Sequence, residues 1–294
     1  MRRALCCWVW LLWLAAACAQ AADVPRGLLW EVRSDRGTVF LLGTIHVGNA
    51  SLYPLPPSVE EAYRASSRLA VEADVASGDA AAAARSAIYT PPDALDRHVP
   101  AAIYQDVTDA ARDLGVPMDI ARRMKPPMLA MALTMIEVSR IGMEPRFGID
   151  LHFSQRAKAD GKELVELESV AQQIAMLDAL SPDAQIAMLQ ATLRGIRSGS
   201  LTRDMDALIE AWKRGDAERV DEIATQDLRA MPAGAADALE KALYEDRNRA
   251  MAEKIAALLA RQEITLVAVG AGHMTGPTGL VTLLKARGYS VLRR

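Results

Sequence analysis

Apolar positions along the chain follow two rhythms. Short runs rich in branched and aromatic residues predict six strands, at 28–33 (LLWEVR), 38–43 (TVFLLG), 68–73 (RLAVEA), 163–167 (ELVEL), 264–269 (ITLVAV) and 289–292 (YSVL). Ser34, Asp35, Arg36 and Gly37 between the first two supply the residues of a hairpin turn. Elsewhere apolar residues recur at helical spacing, over 101–115, 126–141, 146–160 and most of 169–260. A helix in SVEEAYRASS is expected to start at Ser58 as N-cap, with Glu60 and Glu61 in its first turn.

Three strands come early, one lies mid-chain and two close the sequence. Independent domains would not leave complementary strands at opposite ends. The pattern therefore predicts a single α/β domain over 20–294, its sheet completed by N- and C-terminal strands. The helix-rich central insertion, roughly 76–160 and 170–260, is expected to form a cap.

Composition changes this picture mainly at the N-terminus. Arg2 and Arg3, the apolar run ALCCWVWLLWLAAA and Ala17-Cys18-Ala19 read as a signal peptide over 1–19. Its apolar segment of about 14 residues is short for a membrane span. Export is expected, to the periplasm or beyond. Cys18 offers lipidation as a lesser alternative, because the preceding leucine lies one place too far upstream for a lipoprotein signal. All three cysteines, Cys6, Cys7 and Cys18, lie in this leader, so the mature chain would have no disulfide, thiolate metal site or cysteine nucleophile. Without Arg2 and Arg3 the chain holds 32 basic and 37 acidic residues, a net charge of −5. That balance gives no electrostatic reason to bind nucleic acid. Contact with a membrane is expected only through the leader or a lipid on Cys18.

The candidate chemistry sits where strands end. Gly43-Thr44-Ile45-His46 and Gly270-Ala271-Gly272-His273 are both Gly-x-x-His, each directly after an apolar run, in a chain with four histidines. Glycine at a strand end permits a sharp turn and close backbone approach, which makes Gly43, Thr44, Gly270 and Gly272 candidate substrate-binding positions. A third strand runs out in Glu72. Two imidazoles and a carboxylate form a ligand set for zinc, manganese or cobalt with a coordination position left open. The same groups could act without metal, His46 as general base and Glu72 orienting it. His98 is expected at the surface and His152 in a structural role. The segment MTGPTGLVTLLKARG predicts a helix capped by Thr275 or Gly276, which would put His273 just ahead of a helix N-terminus. Glycines 270, 272 and 276 miss the dinucleotide-loop spacing by one. There is no His-Glu-x-x-His helix and no Gly-x-Ser-x-Gly elbow.

Four segments, FLLGTIHVG, RLAVEAD, the stretch 147–180 and the stretch 242–291, resemble the TraB/PrgY/GumN family in its GumN-like branch and in the family's order. The resemblance implies a mixed α/β sheet of the erythromycin-esterase/ChaN-like kind, with the site at the strand ends. Tiki-like members imply metal-dependent peptidase chemistry on two histidines and a glutamate, which fall here on His46, His273 and Glu72. Arg247 and Asn248 match a family Arg-Asn pair, Arg247 as carboxylate or oxyanion partner and Asn248 as a candidate substrate-binding residue. Asp150 and Glu168 also match, although a helix cap and a strand-end hydrogen bond would account for them. The expectation is a metal-dependent hydrolase of peptide or small-molecule substrates. The alternatives are a non-catalytic protein that sequesters peptide or haem, and a metal-free histidine esterase.

Overall fold

The hairpin forms from its turn chemistry. In the computed structural model, which describes residues 26–74 and 84–294, β1 (Leu28–Arg33) and β2 (Thr38–Thr44) pair antiparallel from Leu28↔Gly43 to Arg33↔Thr38. Ser34 Oγ accepts from the Arg36 and Gly37 N–H groups, and any side chain at Gly37 would collide with the Arg261 carbonyl. The expected leader, 1–19, and the first residues of the expected cap lie outside the described residues.

Four further strands complete one mixed sheet: β3 (Arg68–Val71), β4 (Glu163–Glu166), β5 (Ile264–Gly270) and β6 (Ser290–Arg293). The order is β4-β3-β5-β2-β1-β6. β4, β3, β5 and β2 run parallel, while β1 is antiparallel to both β2 and β6. The unbroken apolar runs of β3 and β5 follow from this placement, since inner parallel strands are covered on both faces. Edge strand β4 is only half buried.

Helix α1 (Pro57–Ala65) starts earlier than expected. Pro56 occupies the N-cap and Pro57 the first turn, so Ser58 lies inside the helix; proline's fixed φ sets the start without a side-chain cap. Three longer helices follow, α2 (Ala101–Leu114), α3 (Pro126–Ser139) and α4 (Ile149–Ala159). The helical stretch after β4 breaks into α5 (Val170–Asp178), α6 (Pro182–Ser198), α7 (Ser200–Arg214), α8 (Ala217–Arg229), α9 (Ala233–Glu240) and α10 (Asp246–Leu259). Helix α11 (Leu280–Ala286) precedes β6.

These helices divide by what they bury. Phe153 of α4, Trp212 of α7, Met251 and Ile255 of α10 and Leu284 of α11 share one core with the sheet. Ile103, Val107, Leu129, Leu133, Leu189 and Leu193 form a separate core joining α2, α3 and α6. Among the described residues, no helix is long and apolar enough to cross a membrane.

Trp212 ties the helices to the sheet. It is fully buried, and its indole N–H donates to the Gly43 carbonyl at 2.6 Å, at the end of β2. Trp212→Phe removes that donor and leaves a small void. We expect a loss of about 2–3 kcal/mol in urea-unfolding free energy, with the native circular dichroism retained.

Candidate functional site

Each parallel strand releases a polar side chain at the same edge of the sheet. Glu72 directly follows β3, His46 and Glu168 lie two residues past β2 and β4, and His273 lies three past β5. The carboxyl ends of parallel strands are where α/β sheets open a crevice. Here the crevice gathers the expected triad. His46 Nε2 stands 4.0 Å and His273 Nε2 3.9 Å from the same oxygen, Glu72 Oε1.

Helix α10 supplies the support. A π-helical turn, Lys241–Glu245, leads into it, and Tyr244, Arg247 and Asn248 share one face at i, i+3 and i+4. Arg247 donates to Glu72 Oε2 at 2.8 Å and forks onto both oxygens of Glu168. Gln173 Nε2 bridges Glu168 at 3.1 Å and Glu72 at 3.4 Å. Of the two expected roles for Arg247, the structure places it as a carboxylate partner. The Gly270 N–H donates to Glu72 Oε1, completing the cradle.

Each imidazole is held by its other nitrogen. Asn248 Nδ2 donates to the Thr278 carbonyl at 2.9 Å, which turns its Oδ1 toward His273 Nδ1 at 2.6 Å. An oxygen there requires Nδ1 to carry the hydrogen, so in the neutral ring Nε2 is bare and faces Glu72. His46 Nδ1 lies 3.2 Å from Asp150 Oδ2. Asp150 is in the first turn of α4 and aims at His46 rather than capping the helix. Gly148 permits this approach, because a Cβ there would collide with the His46 carbonyl, and Ile149 N–H donates to the Ile45 carbonyl at 3.0 Å.

The electrostatics divide the two rings. His273 is 7% exposed; burial and Arg247 outweigh Glu72 and lower its pKa to about 4, leaving it neutral. Crowding also disfavours the charged form of His46, but Asp150 and Glu72 prevail and raise it to about 9. That side chain is 58% exposed, so water screens part of the pull. Burial pushes the Glu72 carboxyl up, while His273, His46, Arg247 and the Gly270 N–H together bring it down to about 2.

The remaining expected residues divide. Gly270 belongs to the site: a Cβ there would lie 2.9 Å from Glu72 Oε1 and 3.1 Å from His46 Nε2. Gly43 is packed against Leu28, Met274 and Ala271, and Gly272 against Tyr244 and Ala224. Thr44 Oγ1 is buried without a hydrogen-bond partner. His98 pairs with Asp93 at 2.8 Å and stacks on Tyr89, and His152 packs against Tyr53 and Phe153. The expected helix N-terminus behind His273 is displaced: α11 begins at Leu280 after a Gly279 cap, and Asn248 supports the ring instead. Sequence reasoning gave Asp150 and Glu168 lesser parts, yet each makes direct contact with a principal site residue. The Gly-Ile-Asp run was the available signal for Asp150, since a glycine marks close approach just before the acid.

Comparisons with known proteins place this arrangement in context. The TraB/PrgY/gumN family model matches residues 28–293. The uncharacterized protein YbaP of Escherichia coli K12 is 27% identical over 245 residues, covering 83% of this chain and 87% of that protein. An uncharacterized Treponema pallidum protein is 23% identical, covering 88% of this chain and 80% of its own length. A metalloprotease TIKI homolog of Amphimedon queenslandica is 22% identical, covering 90% of this chain and 61% of that protein. No solved structure matches.

Gly270→Ala tests the convergence directly. Its φ of −47° and ψ of 136° suit alanine, so the strain falls on Glu72 and His46. We expect imidazole NMR signals of His46 and His273 to shift while those of His98 and His152 stay in place. Stability should fall by no more than about 2 kcal/mol.

Proposed function

The chain belongs to the TraB/PrgY/gumN family, and on that premise we propose an exported, metal-dependent hydrolase acting on peptide or amide bonds. His46, Glu72 and His273 would hold the ion. The observation that carries this reading is the bare His273 Nε2 facing the ionised Glu72 Oε1 at 3.9 Å. Two acceptors face each other there with no hydrogen of their own between them, an arrangement that a cation relieves.

The donors fit such an ion in kind. Two imidazole nitrogens and a carboxylate suit zinc, cobalt or manganese. Ligands each about 2.1 Å from one ion can be at most about 4.2 Å apart, and the two nitrogen–oxygen separations lie within that limit. Among the described residues, no cluster of three or more His, Cys, Asp or Glu is already gathered at metal-holding geometry, so binding would draw these side chains inward. Asp150 and Asn248 hold the two Nδ1 atoms as outer partners of metal-bound histidines do. A bound divalent ion would supply Lewis-acid polarisation of a carbonyl and a more acidic water.

The chain's own residues have separable tasks. Arg247 and Gln173 keep Glu72 ionised and fixed in orientation. Asn248 fixes the His273 tautomer. His46 stands at the solvent-facing side, where substrate would enter. As a metal ligand His46 must give up the proton that Asp150 and Glu72 favour, so ion binding there would release a proton and strengthen as pH rises. Export rests on the expected leader, and similarity to the metalloprotease TIKI homolog of Amphimedon queenslandica supports protease-like chemistry.

Titration calorimetry with manganese, cobalt and zinc should give about one ion per chain. His46→Ala, Glu72→Ala and His273→Ala should each weaken binding more than about 100-fold, and Asp150→Asn by about 10–100-fold. Full affinity in His46→Ala would remove the metal from the mechanism.

A further inference from the structure

His46 and Glu72 line a cavity of about 400 Å³ that is otherwise largely apolar. Its volume falls within the range of small-molecule and peptide sites. Glu72, Asp150 and Gln173 contribute polar groups to its lining. Much of the remaining lining is apolar: Val47, Val71, Met131, Met135, Pro145 and Leu151. Met131 and Met135 are one helical turn apart on α3, and Met131 is 45% exposed.

We infer that this cavity seats a large apolar side chain beside the bond to be cut, making the substrate a peptide with Leu, Met or Phe at that position. The inference rests on the hydrolase reading above and adds the substrate class to it. Three observations carry it. The apolar residues and the two histidine-facing carboxylates line one cavity, so a chain bound at the carboxylates brings a side chain within reach of the methionines. Methionine is unbranched and adapts to shape, so the wall suits several large apolar side chains rather than one. The apolar residues of the lining offer an acidic side chain no hydrogen-bond partner, so a carboxylate seated against them would lose hydration without compensation.

The test uses quenched fluorogenic peptides of constant flanking sequence with Leu, Met, Phe, Gly or Glu at one position, and the purified chain supplied with manganese or zinc. Anisotropy of labelled, metal-free mixtures measures binding apart from cleavage. Leu, Met and Phe should exceed Gly by at least about tenfold in both kcat/KM and affinity, with Glu weakest. Met131→Glu, an exposed change, and Met135→Ala should narrow the Leu-over-Gly ratio to about twofold. Circular dichroism and ion stoichiometry check that the variants fold. Cleavage and binding indifferent to the varied residue would overturn the inference and leave the hydrolase reading standing. Preferential binding of Leu without cleavage by any peptide would keep the apolar seat and remove the hydrolase reading. Neither binding preference nor cleavage would remove both.

Discussion

A buried carboxylate held ionised organises this molecule's strand-end crevice. Glu72 is only 11% exposed and must be compensated on both oxygens. Arg247 and Gln173 take one oxygen, and the Gly270 N–H takes the other, which faces both imidazoles. The arginine is itself anchored by Glu168, so the cation that neutralises Glu72 cannot swing away. A half-satisfied network of this kind would cost more than an apolar core. Its persistence therefore constrains β3, β4, β5 and α10 together.

The two histidines are not equivalent, although their sequence settings match. His273 is walled in and kept neutral, with a tautomer set by Asn248 and, behind it, by the Thr278 carbonyl. His46 is open to solvent and tied to an acid on a different helix. One ring is thus fixed and the other faces solvent. That asymmetry suits a centre that must admit a substrate from one side while holding its geometry on the other. The apolar cavity lies on the open side, beside His46.

Much of the fold was legible because its signals are local. All six strands appear within two residues of their expected bounds, since branched apolar runs bounded by turn residues leave few alternatives. The helix starts were less legible. At α1 two prolines replaced the expected serine cap, and at α11 a turn through Gly276 and Gly279 delayed the helix past its expected start. In both places the residue types allowed several starts, and packing chose among them.

The chain's own pattern determined that two Gly-x-x-His devices and a glutamate would emerge at strand ends, because strand periodicity and glycine's lack of a side chain act over a few residues. Which ends lie side by side was a tertiary decision. The order β4-β3-β5-β2 puts β3 next to β5 and β5 next to β2, so residues 46, 72 and 273 meet at one edge. The partners of those residues were decided the same way. Asp150 and Glu168 could have been ordinary surface acids, and Gly43 could have lined a cleft. Burial and long-range contact, which no local spacing encodes, brought the acids to His46 and Arg247 and sealed the glycine in the core.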